Sequence, residues 1–338
     1  MKTRTALIGA GGMARRHLPL MMETGADLRV ICEPSSNNYE DTVELLAELG
    51  APPPPNEPDL AAMLDRHAAA LDAAFIVTPH NLHHDQAKMC MEAGLDVLLE
   101  KPMVMNAREA ISLMETRDRT GKLLVVAFQG GLSPQIREAA RLIQSGELGE
   151  LLNVTGMVWQ GWKEATVDTW RQIPEVAGGG FMFDTGAHML NTLCTLVGED
   201  FAAVAAWTDN RGTPVDIDGV VMARLESGAL VTINGCGDSI PGLDSEIFVV
   251  LSRGVIRTGI YGERLLIRRA GDSGYVPADL PKMRGAWEQF TQVRAGEIEN
   301  PCPPEVGLRM AKLWDAIVES ASKDGQRART LGAGETVS

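Results

Sequence analysis

A glycine-rich turn set between an apolar strand and a helix restricts this chain more than any other feature. Residues 5–8 form a short apolar run, Gly9-Ala10-Gly11-Gly12-Met13-Ala14 follows at once, and a helical pattern occupies 15–23. In a G-x-G-x-x-A turn of this kind, Gly9 permits the tight bend. Gly11 removes the side chain where backbone must approach a pyrophosphate. Ala14 lets the helix pack closely on the sheet, while the first helical amides face the anion. Glycines after a strand are often only a turn, so context decides. Glu33 ends the second strand pattern (28–32), 24 positions after Gly9, where an acid accepts from an adenosine ribose 2′-hydroxyl. By itself Glu33 also reads as a helix cap or a solvated acid; with the loop, it points to dinucleotide binding. A carboxylate there opposes a 2′-phosphate, and no Arg or Lys lies between Arg29 and Arg66, so NAD is expected in preference to NADP.

The rest of the first 127 residues alternates in the same way. Strand patterns at 73–77, 97–99 and 123–127 are separated by helical ones at 39–49, 60–66, 84–93 and 107–120, with Gly94 and Gly121 as stops. Continuous apolar strands between helices imply a doubly wound parallel sheet covered on both faces. Four prolines at 52–55 force an extended surface segment, because proline lacks an amide donor and fixes φ. That run is either a partner motif or, more commonly, a stiff connector. After Phe128 the character changes. Helices at 135–145 and 187–196 accompany alternating segments at 153–158, 202–208, 219–225, 230–234 and 246–251, and helices near 287–295 and 304–322 close the chain. This is an α+β pattern with a large, mainly antiparallel open sheet. At 338 residues, two domains are expected, 1–127 for the dinucleotide and 128–338 for substrate and oligomerisation. The tail after Lys323 is expected to be loosely held.

Composition removes several function classes. A formal charge of −14 sets up repulsion with phosphate backbones, so nucleic acid is not an expected partner. No apolar run reaches the ~18–20 residues a bilayer span needs. Residues 1–9 enter a strand pattern too quickly for a secretory signal, and the five cysteines are scattered without a C-x-x-C pair. Free thiols in a reducing, cytoplasmic setting are expected. The histidines lack carboxylate or cysteine partners at ligand spacing, so no metal site is expected.

Two turns follow strand ends, where ligands of open parallel sheets lie. Thr78-Pro79-His80-Asn81-Leu82-His83 is the first, with either histidine a candidate to line the cofactor. Glu100-Lys101-Pro102 is the second. The chain has eight lysines against 23 arginines, yet Lys101 sits at the mouth of a buried strand, where an ammonium can serve as proton carrier. The plainer alternative is a capping ion pair of Glu100 and Lys101. These motifs, with Gly94-Leu-Asp-Val-Leu-Leu-Glu-Lys-Pro102, resemble those of the Gfo/Idh/MocA oxidoreductases, and the similarity continues through Ser145–Gly149, Trp170-Arg171, 178–180 and the closing helices. The resemblance implies a Rossmann domain followed by a C-terminal α/β domain. It also implies oligomerisation through the open sheet face, giving a homodimer or homotetramer.

In the second domain, Gly178-Gly179-Gly180 reads as a flexible run entering a helix, with Asp184 and His188 four apart on one face. Such a pair is often only a cap and a packed histidine. An imidazole with an orienting carboxylate is also what alcohol oxidation uses. The resemblance implies that Lys101, Asp184 and His188 form the catalytic set. It further implies that the sequence departs from the family at two places: Asn191 stands where H-x-x-D is frequent, and Gln129 stands near where many members have an arginine. Trp159, Trp162, Lys163, Trp170 and Arg171 form either simple core or a rim of stacking faces and donors for a carbohydrate ring. Arg171 fits a structural ion pair equally well. Gln129, Trp162, Lys163, Trp170, Arg171 and Asn191 are therefore candidate substrate contacts, beside the catalytic set. The cofactor set is Gly9, Gly11, Gly12, Met13, Ala14, Glu33, Thr78, Pro79, His83, Glu100, Lys101 and Pro102. The expected activity is NAD-dependent oxidation of a secondary hydroxyl of a sugar, cyclitol or related polyol. The alternatives are glycoside cleavage without net redox change and a non-catalytic NAD(H) sensor.

Overall fold

The computed structural model describes residues 2–330. They form two compact units. The first is built from residues up to Val104, Glu109–Ala127 and Arg284–Pro304; the second from Met105–Arg108, Phe128–Met283 and the chain from Glu305 onward.

The first unit carries five parallel strands: β1 (Arg4–Ile8), β2 (Asp27–Cys32), β3 (Ala73–Ile76), β4 (Asp96–Leu99) and β5 (Leu124–Val126). Their order is β2-β1-β3-β4-β5. Ile8, Ile76 and Leu99 share one register row at the strand ends, and the apolar strand residues are almost wholly buried. Between them run α1 (Gly12–Glu23), α2 (Ser36–Glu48), α3 (Leu60–His67), α4 (His83–Glu92) and α5 (Ala107–Thr120). The chain moves one way from β1 to β2 and the other way from β3 onward. Right-handed crossovers then place helices on opposite faces and open a crevice beyond the ends of β1 and β3.

The second unit is a sheet of eight strands: β6 (Leu151–Gly161), β7 (Phe201–Asp209), β8 (Asp218–Leu225), β9 (Leu230–Cys236), β10 (Asp238–Leu251), β11 (Gly254–Thr258), β12 (Leu265–Arg269) and β13 (Val276–Pro277). The order is β13-β12-β11-β10-β6-β9-β8-β7, antiparallel throughout except for β6 beside β9. Strict alternation along β8 buries Gly219, Val221, Ala223 and Leu225 and leaves Val220 and Met222 about half exposed. Short helices α6 (Gln129–Leu132), α8 (Trp162–Ala165) and α9 (Pro174–Ala177) join α7 (Pro134–Gln144) and α10 (Gly186–Val197). The chain closes with α11 (Ala286–Arg294), which packs on α1 in the first unit, and α12 (Pro304–Ser322).

The tail differs from its sequence-based expectation. Ala328 is buried and exchanges both backbone hydrogen bonds with Val204 (3.0 and 2.9 Å), and Ser320 Oγ donates to the Gln326 carbonyl. Composition around Arg327 and Arg329 gives no hint of this, because the partner strand supplies the bonds. Residues 331–338 of that tail lie outside the described residues. The cysteines form no disulfide.

Candidate functional site

In the first unit the phosphate loop follows β1 directly. Gly9 has φ +86°, and a Cβ there would sit 2.6 Å from the Val77 carbonyl oxygen, so both conformation and space demand glycine. Gly11 and Gly12 differ: a Cβ at either would meet no protein atom within 4 Å. Packing therefore does not require glycine at these positions, and the open space suits a ligand whose phosphates approach the backbone. Gly11 caps α1 without a side-chain hydrogen bond, leaving the first amides directed outward. Ala14 is fully buried. Glu33 is 6% exposed; its Oε2 accepts the Ala10 amide at 2.7 Å and its Oε1 the Ser35 amide at 2.9 Å. These features fit the diphosphate and ribose of a dinucleotide.

The strand-end turns are braced by two imidazoles. His83, fully buried, places Nδ1 2.7 Å from the Pro102 carbonyl and Nε2 2.9 Å from the Thr78 carbonyl. Burial pushes its pKa below the ordinary value despite those two carbonyls, so the ring is neutral and donates to one of them. The ring sits between the two turns, one nitrogen facing each. Thr78 Oγ1 donates to Gln86, and His80 is buried. His17 of α1 reaches Glu100, Nε2 to Oε1 at 2.7 Å, while Glu100 Oε2 accepts the Lys101 amide at 3.0 Å. Burial would raise the Glu100 pKa, but His17 and Lys101 outweigh it and hold the carboxyl below its ordinary value. Lys101 is part-buried, and its bond to Pro102 is cis. His17 escapes sequence reasoning because nothing local in α1 marks it as Glu100's partner.

In the second unit the glycine run is packed, not loose. Gly178 has φ +75°; a Cβ on Gly179 would lie 2.6 Å from Phe183 and Trp314 atoms, and one on Gly180 would overlap the Asp216 main chain. Asp216 holds the run, accepting the Gly180 amide at 2.6 Å and the Met182 amide at 2.8 Å, and burial pushes its pKa up. Asp184 lies in the turn before α10, not on the helix itself, while His188 is in the first helical turn. Asp184 Oδ2 accepts the Trp162 indole N–H at 2.8 Å and Arg171 Nε at 3.1 Å. Arg171 also lies over the Trp170 ring at 4.6 Å. Trp162 is 2% exposed against Phe181, so it fixes the carboxylate and offers no open face. Lys163 pairs with Asp238 at 3.0 Å, and Gln129 is exposed at the start of α6.

His188, 8% exposed, is packed edge-on against Phe128 and Tyr261, at 5.8 and 4.8 Å between centroids. Burial, with Glu263 and Asp184 nearby, pushes the Tyr261 phenol up to about 12, so it is a neutral donor at working pH. Asn191 is buried one turn beyond His188. Tyr261 and Asp216 carry no sequence signal of their own; only the fold brings them to this segment. The unit thus assembles a fixed carboxylate and a buried imidazole in one short stretch.

Family models match both parts of the chain: an oxidoreductase family, NAD-binding Rossmann fold, over 3–128 and the GFO/IDH/MocA C-terminal domain over 136–257. The scyllo-inositol 2-dehydrogenase (NADP(+)) IolW of Bacillus subtilis is 26% identical over 74% of this chain and 69% of its own. Inositol 2-dehydrogenase 4 of Saccharopolyspora erythraea is 25% identical over 98% of this chain and 94% of its own. The chain spans about half the length of some other curated relatives it matches. A levoglucosan dehydrogenase solved with NADH and levoglucosan has a TM-score of 0.84 at 21% identity, covering 98% of this chain and 99% of that one, a likeness of fold.

Proposed function

Because the chain belongs to the Gfo/Idh/MocA oxidoreductase family, we propose that it oxidises a secondary hydroxyl of a sugar, cyclitol or related polyol with NAD. The observation that carries this reading is the Asp184 carboxylate, pinned by Trp162 and Arg171 four positions before the buried His188 imidazole. The names of the inositol and levoglucosan dehydrogenases support the substrate class. A bound nicotinamide supplies the hydride acceptor.

The protein's own residues do the rest. His188 takes the hydroxyl proton. Asp184, fixed by two donors, orients the substrate hydroxyl or the imidazole without moving itself. Lys101 stabilises the developing alkoxide charge, its backbone set by Glu100. Asn191 and Tyr261 offer hydrogen bonds for neighbouring hydroxyls. Glu33 and the phosphate loop hold the dinucleotide, and the acid favours NAD, although the B. subtilis relative is named for NADP(+). The sheet face bearing Met157, Val220, Met222 and Leu230, each 45–50% exposed, supports a homodimer or homotetramer. No helix among the described residues is long and apolar enough to cross a membrane, and a cytoplasmic setting is part of the proposal.

The test is a panel of inositols, aldoses and anhydrosugars with NAD, read at 340 nm, on the wild type, Lys101→Met and His188→Asn. At least one polyol should be oxidised, and each variant should lose about 10²–10⁴-fold in kcat, the scale of a removed acid–base group, while still binding NADH. A wild type that binds NADH yet turns over no member of the panel would refute the dehydrogenase reading. Sugar release without NADH formation would point to glycoside cleavage instead.

A further inference from the structure

The proline run finds its role at the edge of the first unit's sheet. β2 is the edge strand, and the segment after 52–55 lies along it as a short parallel extension. The Ile31 amide donates to the Pro55 carbonyl at 3.0 Å, the Glu57 amide donates to the Ile31 carbonyl at 2.8 Å, and Asn56 bridges Ile31 between them. Tyr39 Oη ties the Pro54 carbonyl to α2 at 2.8 Å. With φ fixed at four successive residues, the segment has little freedom to lose and presents Asn56 in one place.

Asn56 clasps the backbone of Glu33 at both ends. Its Oδ1 accepts the Glu33 amide at 3.1 Å, and its Nδ2 donates to the Glu33 carbonyl at 2.9 Å. The side-chain amide thereby satisfies the donor and the acceptor at the point where β2 ends. The carboxylate of the same residue is held on its other side by the Ala10 and Ser35 amides. Backbone and side chain of Glu33 are both anchored, so the acid cannot swing away from the loop without breaking several hydrogen bonds. A ribose 2′-hydroxyl needs an acceptor fixed there; a 2′-phosphate needs it displaced.

We propose that Asn56, delivered by the proline strap, is a positioning residue that sets the selectivity for the unphosphorylated dinucleotide by locking Glu33. This rests on the dinucleotide reading of the first unit and adds to it the residue that makes the acid rigid. Loosening Glu33 lowers its value as a ribose acceptor and lets it retreat from a 2′-phosphate, so the two ligands respond in opposite directions.

The experiment titrates the full chain with NADH and with NADPH, following nicotinamide fluorescence, for wild type, Asn56→Ala and Asn56→Gln, with thermal melting alongside. Wild type should prefer NADH. Asn56→Ala should narrow the NADPH-to-NADH ratio of Kd values by about an order of magnitude, the scale of one or two lost hydrogen bonds. Asn56→Gln keeps both amide groups without adding charge but displaces them by one methylene, so its ratio should fall between. A purely structural role would weaken both dinucleotides alike, or lower the melting temperature with the ratio unchanged, and either result overturns the proposal. Should Asn56→Ala not fold, an unchanged ratio in Asn56→Gln overturns it equally. Wild type binding NADPH as tightly as NADH removes this inference but leaves dinucleotide binding intact; wild type binding neither removes both.

Discussion

Replacing Gly180 by alanine tests whether the glycine run is held by packing. An added Cβ would overlap the Asp216 carbonyl oxygen and lie 2.8 Å from the Asp216 carbonyl carbon and nitrogen. Ordinary contact begins near 3.4 Å, so the Asp216 carbon and nitrogen must each retreat by about 0.6 Å and the carbonyl oxygen by more than twice that. The retreat strains three hydrogen bonds at once: Gly180 and Met182 amides to the Asp216 carboxylate (2.6 and 2.8 Å) and the Phe181 amide to its carbonyl (2.8 Å). Bonds to a charged acceptor contribute ~1.5–3 kcal/mol each and a backbone bond ~0.5–1.5, so full loss would cost ~3.5–7.5 kcal/mol. Because burial already disfavours the Asp216 carboxylate, the lower half of that range applies, and we expect about 4 kcal/mol, a severe value for one methyl group. Gly274→Ala is the control: its φ is ordinary and no atom lies within 4 Å, so it should be neutral or stabilise by up to ~1 kcal/mol. Urea unfolding followed by tryptophan fluorescence reads the right unit, since five of the six tryptophans lie there. If Gly180→Ala unfolds at the same midpoint as Gly274→Ala, the packing argument is wrong.

Gly9→Ala places a Cβ 2.6 Å from the Val77 carbonyl oxygen at φ +86°; NADH binding should be lost in a titration, and retained affinity would refute the role given to the turn. Trp162→Phe removes the indole donor to Asp184. It should lower kcat/KM about 10–100-fold, the equivalent of ~1.5–3 kcal/mol, with NADH affinity unchanged; equal loss of both would contradict the assignment. Hydrogen bonds from Arg4 hold the Asp72 carboxyl at about 2, below its ordinary value of 3.8. A depressed folded pKa means that stability from this pair is complete above pH ~4–5 and fades as pH falls toward 2. Unfolding free energies of wild type and Arg4→Met should therefore converge over that window, and parallel curves would exclude the linkage.

How far the sequence reveals this molecule depends on the range of the forces involved. The parallel sheet was legible because strands buried on both faces are continuous apolar runs: 5–8 and 28–32 fall within one residue of β1 and β2. The N-terminal half of β10 was not, since Pro241 and Gly242 interrupt the pattern, and β11 to β13 are only two to five residues long, with arginines in β11 and β12. Asp184 and His188 stood out through their spacing. Their environment did not, because Trp162 meets Asp184, His17 meets Glu100 and Asp216 meets Gly180 across 22, 83 and 36 residues. No local pattern encodes such pairings. The tryptophans likewise required coordinates: the sequence leaves core and rim open, and burial of Trp162 decides for one of them.

The composite make-up of the first unit bears on how the protein is made. The Val126 amide donates to the Cys302 carbonyl, Asn300 donates to the Leu124 carbonyl, and Arg294 bonds Asp96 at 2.6 Å. On a ribosome those partners emerge roughly 180 residues after Ala127, which at ~5–20 residues per second is a delay of ~10–35 s. Throughout that interval the nascent nucleotide-binding sheet has one flank uncovered, a template for stray strands. Nonsense mutations ahead of residue 304 would accordingly damage the earliest-synthesised part of the protein, and chaperone engagement during translation should be concentrated there.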